Sequence, residues 1–93
     1  MTVKLESIYQ RAIDHYGSQL QSIVAIEEMA ELQKELSKFL RGNLDENHMA
    51  EEIADVEIML NQLKLIFDNH NKVGEFVELK LLRLNNRMNE DYE

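Results

Sequence analysis

Ninety-three residues without a cysteine make one small domain, whose stability has to come from a modest core, an oxygen-ligated metal or oligomerisation rather than from disulfides. Eighteen acidic residues against ten basic ones give a formal charge of −8, which repels the phosphates of DNA and RNA but attracts divalent cations. No apolar run approaches the roughly 20 residues that span a bilayer, and the start lacks a signal-peptide pattern, so the chain reads as soluble, cytoplasmic and without a membrane partner.

Proline is absent, and Gly17, Gly42 and Gly74 are the only glycines. The first helix is expected over about residues 2–16, ended by Gly17 in a left-handed conformation. Ser18 then caps a second helix, with Gln21 completing an S-x-x-Q capping box, and this helix runs to about Arg41 before Gly42. Within "NLDEN", Asn43 or Asp45 caps a third helix that continues to about His70. Asn71 caps a fourth helix over about 72–89, with Gly74 in its first turn, and the tail "NEDYE" frays. Four helices with short turns make an all-α, up-down four-helix bundle the default architecture for a single domain over 1–93.

Advancing about 100° per residue places each side chain on a face. In the first helix Leu5, Ile8 and Ala12 form the core stripe, which Tyr9 and Tyr16 also fit. In the second the stripe is Ala25, Met29, Leu32, Leu36, Phe39 and Leu40, with Glu28, Glu31 and Glu35 in a line along its flank. Glu27 lies farther round, with Lys34 and Lys38. The third helix has Met49, Ile53, Val56, Met59, Leu60, Leu63 and Phe67, and Glu52 falls inside this stripe with Asp55 on its edge. A charged carboxylate facing a core is expensive unless it is paired or binds a metal.

If the second and third helices run antiparallel about a turn centred near Asn43, residue 31 lies level with residue 55. Glu28 and Glu52 then lie within about one turn, roughly 5 Å, of that level. Four carboxylates converge there with no lysine or arginine of these helices beside them. Like charges so close cannot all ionise unaided, and hard divalent cations, Mg²⁺ or Mn²⁺, are the natural neutraliser. Either motif alone is more often a solvated acidic face; the two together, at matched levels and with a core-facing Glu52, favour the metal site.

"EEMAE" (Glu27, Glu28, Glu31) followed by "EIAD" (Glu52, Asp55) resembles the EExxE…ExxD signature of the all-α nucleoside triphosphate pyrophosphohydrolases. That superfamily includes MazG, dimeric dUTPases, dCTP pyrophosphatases and phosphoribosyl-ATP pyrophosphatase. The surrounding "AIEEMAELQKEL" and "EEIADVEIMLNQL" look like the small MazG-like proteins of bacteria and phages, over about residues 18–90. The resemblance implies that Glu28, Glu31, Glu52 and Asp55 are metal ligands, with Glu27 in a supporting catalytic role. Glu35, one turn beyond Glu31 and outside the motif, is expected to be dispensable. The resemblance also implies Mg²⁺-dependent hydrolysis of a (deoxy)nucleoside triphosphate to the monophosphate and pyrophosphate, as in cleansing a nucleotide pool.

On the fourth helix Lys80, Arg83 and Arg87 lie within about 60° of one another, beside the stripe Val77, Leu81, Leu84 and Met88. By the resemblance they are candidates to bind phosphate, although cations in a last turn also suit the helix dipole. Tyr9, Tyr16 and Phe39 are able to stack on a base, yet core is their expected role. His15, His48 and His70 are expected at the surface. A second apolar strip, Ala54, Ile58 and Leu65, with Leu79 and Leu82 off the main stripe of the fourth helix, is expected to contact another subunit in a dimer or tetramer. The competing reading is a non-catalytic acidic helical module that holds metal, nucleotide or a protein partner.

Overall fold

The structure, a computed structural model, describes residues 4–91 and holds four helices and no strand among them: α1 (Leu5–Tyr16), α2 (Ser18–Leu40), α3 (Glu46–Ile66) and α4 (His70–Glu90). The all-α class is as expected. The expected first residues of α1, about 2 and 3, and the tail residues Tyr92 and Glu93 lie outside the described residues.

Helix ends follow local chemistry. Gly17 has a positive φ of 91° and closes α1 by donating its N–H to the Ile13 carbonyl. Gly17 is also the residue before α2, so this one-residue joint leaves Ser18 already inside the helix. The expected capping box therefore does not form: Ser18 makes no side-chain cap bond, and Gln21 is buried. At the end of α2, Gly42 takes φ 84° while Asn43 N–H donates to the Lys38 carbonyl at 2.8 Å, the six-residue closure of a Schellman turn. Asp45 caps α3, its carboxylate accepting the His48 backbone N–H at 3.1 Å.

The break after α3 comes earlier than expected. Asp68 adopts φ 48°, and Asn69 N–H donates to the Lys64 carbonyl at 3.2 Å, so the same turn recurs with aspartate in glycine's place. Asn69, not Asn71, precedes α4, and its side chain makes no cap bond.

α2 and α3 form the central antiparallel pair, α1 lies against both, and α4 touches α3 alone. The radius of gyration is 16.7 Å, whereas a compact chain of this length has about 12 Å. Each of the first three helices buries one apolar side chain: Ile13, Ala25 and Met59. Gln21, Glu35, Glu52 and Gln62 are just as deeply buried. Met29, Leu32, Met49, Val56 and Leu63 of the expected stripes are half-buried, as are Tyr9 and Ala12 on α1. Leu5, Ile8, Tyr16, Leu36, Phe39, Leu40, Ile53, Leu60 and Phe67 are exposed, and α4 buries nothing, so Val77, Leu81, Leu84 and Met88 face solvent. These exposures share a cause, because α4 does not cover α1 or α2 as a fourth bundle helix would.

The α2–α3 register differs from the expected one. Gln21 Nε2 donates to Gln62 Oε1 at 2.7 Å, Glu28 adjoins Asp55, and Glu35 meets His48 at 3.0 Å. Gln21, Glu28 and Glu35 are seven residues apart on α2, and Gln62, Asp55 and His48 are seven apart on α3 in reverse order. The midpoint of these pairs falls between Arg41 and Gly42, not near Asn43, so the last turn of α2 overhangs the start of α3. That overhang leaves Phe39 51% and Leu40 81% exposed.

The buried Gln21–Gln62 bond fixes this register, and Gln62 Nε2 also points to the Met59 sulfur at 3.7 Å. Gln21→Ala strands a buried amide and is expected to lower unfolding stability in urea by about 1–3 kcal/mol. Joint replacement of Gln21 and Gln62 by leucine should recover most of that loss. Equal stability of Gln21→Ala and wild type would show that the pair does not hold the helices.

Candidate metal centre

The cap at Asp45 sets where α3 begins, and from there His48, Glu52 and Asp55 follow at successive turns of one face. α2 brings Glu28 opposite. One carboxylate oxygen each from Glu28, Glu52 and Asp55 lies within 4.8 Å of the others. Opposite ligands of a Mg²⁺ ion stand about 4.1 Å apart, so small side-chain rotations are enough for this trio to share one hard cation.

Glu52 is the deepest of the three at 8% exposure. Its Oε1 faces His48 Nε2 at 3.4 Å, while its Oε2 is buried with no hydrogen-bond partner. A buried carboxylate oxygen without a partner is uncommon, and here it leaves a free coordinating atom next to two more carboxylates. Oxygen donors of this hardness suit Mg²⁺ or Mn²⁺.

The crowding is felt by Glu28. Desolvation raises its pKa above the ordinary value of 4.5, and the charges of Asp55 and Glu52, a hydrogen bond with Asp55 and the charge of Glu31 push the same way. A carboxyl whose folded pKa is raised favours folding below its unfolded pKa and loses that contribution as pH rises through the folded value. In chelator, the melting temperature should therefore fall as pH rises from about 4.5. Glu28→Gln should flatten that dependence, and the same fall in both proteins would remove Glu28 as its cause.

Other expected members take different places. Glu31 is exposed and outside the trio, although its charge reaches Glu28; Glu27 is exposed as well. Glu35, expected along the flank of the α2 stripe and dispensable, is buried at 2% exposure and paired with Lys38 Nζ at 3.2 Å and His48 Nδ1 at 3.0 Å. The register contributes, since it sets Glu35 level with His48. His48, expected at the surface, is half-buried between Glu35 and Glu52; His15 and His70 are exposed. The sequence signal for both missed residues was the seven-residue repeat through Glu28 and Asp55.

Lys80, Arg83 and Arg87 are exposed on α4 and form no ion pair with these carboxylates among the described residues. Ala54, Ile58 and Leu65 are exposed as expected, but Leu5, Ile8 and Tyr9 of α1 share a groove of about 250 Å³ with Ile58 and Gln62. Part of that strip therefore borders the chain's own first helix. No described helix is long and apolar enough to cross a membrane. Comparison with family models, curated proteins and solved structures returns no significant match.

Proposed function

We propose that the protein is a MazG-like, Mg²⁺-dependent pyrophosphohydrolase that converts a (deoxy)nucleoside triphosphate into the monophosphate and pyrophosphate, with Mn²⁺ able to replace Mg²⁺. The observation that carries this reading is the Glu28–Glu52–Asp55 trio with its buried, unpartnered Glu52 oxygen. The EExxE…ExxD spacing supports it. A cation held there supplies charge for phosphate oxygens and a more acidic water.

The chain's own groups divide the remaining work. Glu28, Glu52 and Asp55 would hold the ion. Glu31 is exposed and outside the trio, which leaves it free to accept the proton of the attacking water, with Glu27 supporting it. Lys80, Arg83 and Arg87 bind phosphate once a second copy brings α4 over the carboxylates. The same association closes the up-down four-helix bundle, in a dimer or tetramer acting in cytoplasmic nucleotide-pool cleansing. Supporting it is α4 itself, 21 residues long with none buried. Helices draw most of their stability from packing an apolar face, so Val77, Leu81, Leu84 and Met88 need a cover.

Leu81→Lys combined with Leu84→Lys should shift the light-scattering mass towards monomer and lower stability. A monomeric wild type at micromolar concentration would refute the assembly.

A non-catalytic module that binds metal or nucleotide is the second reading, favoured by the lack, among the described residues, of any ion pair between α4 and the trio. A panel of nucleoside triphosphates with Mg²⁺, assayed separately for pyrophosphate and orthophosphate, separates the two. Pyrophosphate from at least one nucleotide is expected. None from any would leave the binding module.

A further inference from the structure

We propose that His48 and the buried Glu35 form a positioning bridge that holds Glu52 in its metal-binding orientation. This inference rests on the metal reading of Glu28, Glu52 and Asp55 and goes beyond it, because neither His48 nor Glu35 belongs to that trio.

Glu35 raises the question first. Its side chain is 3% exposed, and burying a carboxylate is costly unless firm partners compensate. One partner, Lys38, comes from its own helix at 3.2 Å. The other is the His48 ring of α3, with Nδ1 at 3.0 Å from Glu35 Oε1. The far side of the same ring places Nε2 at 3.4 Å from Glu52 Oε1. With a proton on both ring nitrogens, one imidazole thus links a carboxylate of α2 to a candidate ligand of α3.

The ring's origin is fixed as well, because the His48 backbone N–H donates to the capping Asp45 carboxylate. A glutamate has three side-chain torsions to restrain before it serves as a ligand. Contact at Oε1 restrains them and leaves Oε2, the oxygen without a partner, to coordinate. Groups that orient a ligand in this way typically change metal affinity by about 10–100-fold when removed. A bridge that only joined α2 to α3 would change stability and leave affinity alone.

The test is Mn²⁺ titration of the full chain by calorimetry, with helicity of every variant checked by circular dichroism. His48→Phe keeps a planar ring without nitrogen and should weaken Mn²⁺ binding about 10–100-fold. His48→Gln restores a donor towards Glu52 and should recover most of the affinity. Glu35→Ala should weaken binding in wild type but add little in the His48→Phe background, since both break one bridge. Wild-type affinity in His48→Phe overturns the proposal while leaving the metal site intact, provided that Glu52→Gln abolishes binding. Should His48→Phe fail to fold, wild-type affinity in Glu35→Ala overturns it instead. A wild type that takes up no Mn²⁺ overturns both this inference and the metal reading.

Discussion

Glu52→Gln and Asp55→Asn are each expected to lower pyrophosphate release at least about 10²-fold, comparable to losing a key electrostatic stabiliser. Both changes nearly preserve shape and remove charge. The double variant should be scarcely worse than the poorer single one, because a site that has lost its ion has little left to lose. Independent contributions would instead multiply. Glu57→Gln is the suitable control: Glu57 is exposed on α3 two residues beyond Asp55 and belongs to neither the trio nor the bridge. Glu35 is unsuitable despite lying outside the motif, since its buried carboxylate contacts His48. Steady-state rates of the four proteins decide the matter, and a double variant at the product of the single losses would break the common-site account.

Millimolar Mg²⁺ or Mn²⁺ is expected to raise the melting temperature of wild type clearly more than that of Glu52→Gln. A ligand bound only by the folded state contributes RT ln(1 + [L]/Kd), about 1.4 kcal/mol at ten times Kd. For a domain of this size that corresponds to roughly 6–11 °C. KCl at matched ionic strength should not reproduce the effect. Equal shifts in wild type and Glu52→Gln would mean that the ions merely screen a chain of charge −8.

Much of this was legible in the residues, for identifiable reasons. Gly17 and Gly42 marked helix ends because a positive φ is cheap only for glycine, and both take one. Glu52 stood out because a charge inside an apolar stripe is a local conflict visible at helical spacing. The turn at Asp68 was hidden, since aspartate seldom takes the left-handed conformation it has here. The register was not readable from loop length, because the overhang of α2 depends on how the link from Asn43 to Asp45 runs. A register three residues off puts Glu31 level with Asp55 and conceals the meeting of Glu35 with His48. Ile13 was missed for another reason: it lies beside the expected α1 stripe and becomes core through the way α1 crosses α2 and α3. The exposed stripe of α4 was read as core because amphipathicity tells that a face needs covering but not which molecule covers it.

Glu28, Glu52 and Asp55 are proposed to make one cation site from which Glu31 is absent. Mn²⁺ titration followed by electron paramagnetic resonance tests it directly, because the signal of the free aqueous ion falls as the ion is bound. Wild type and Glu31→Gln should both deplete the free-ion signal with similar affinity, whereas Glu28→Gln, Glu52→Gln and Asp55→Asn should each leave most of the ion free. Loss of binding in Glu31→Gln as severe as in Glu52→Gln, or a wild type that leaves the free signal unchanged, would contradict the account.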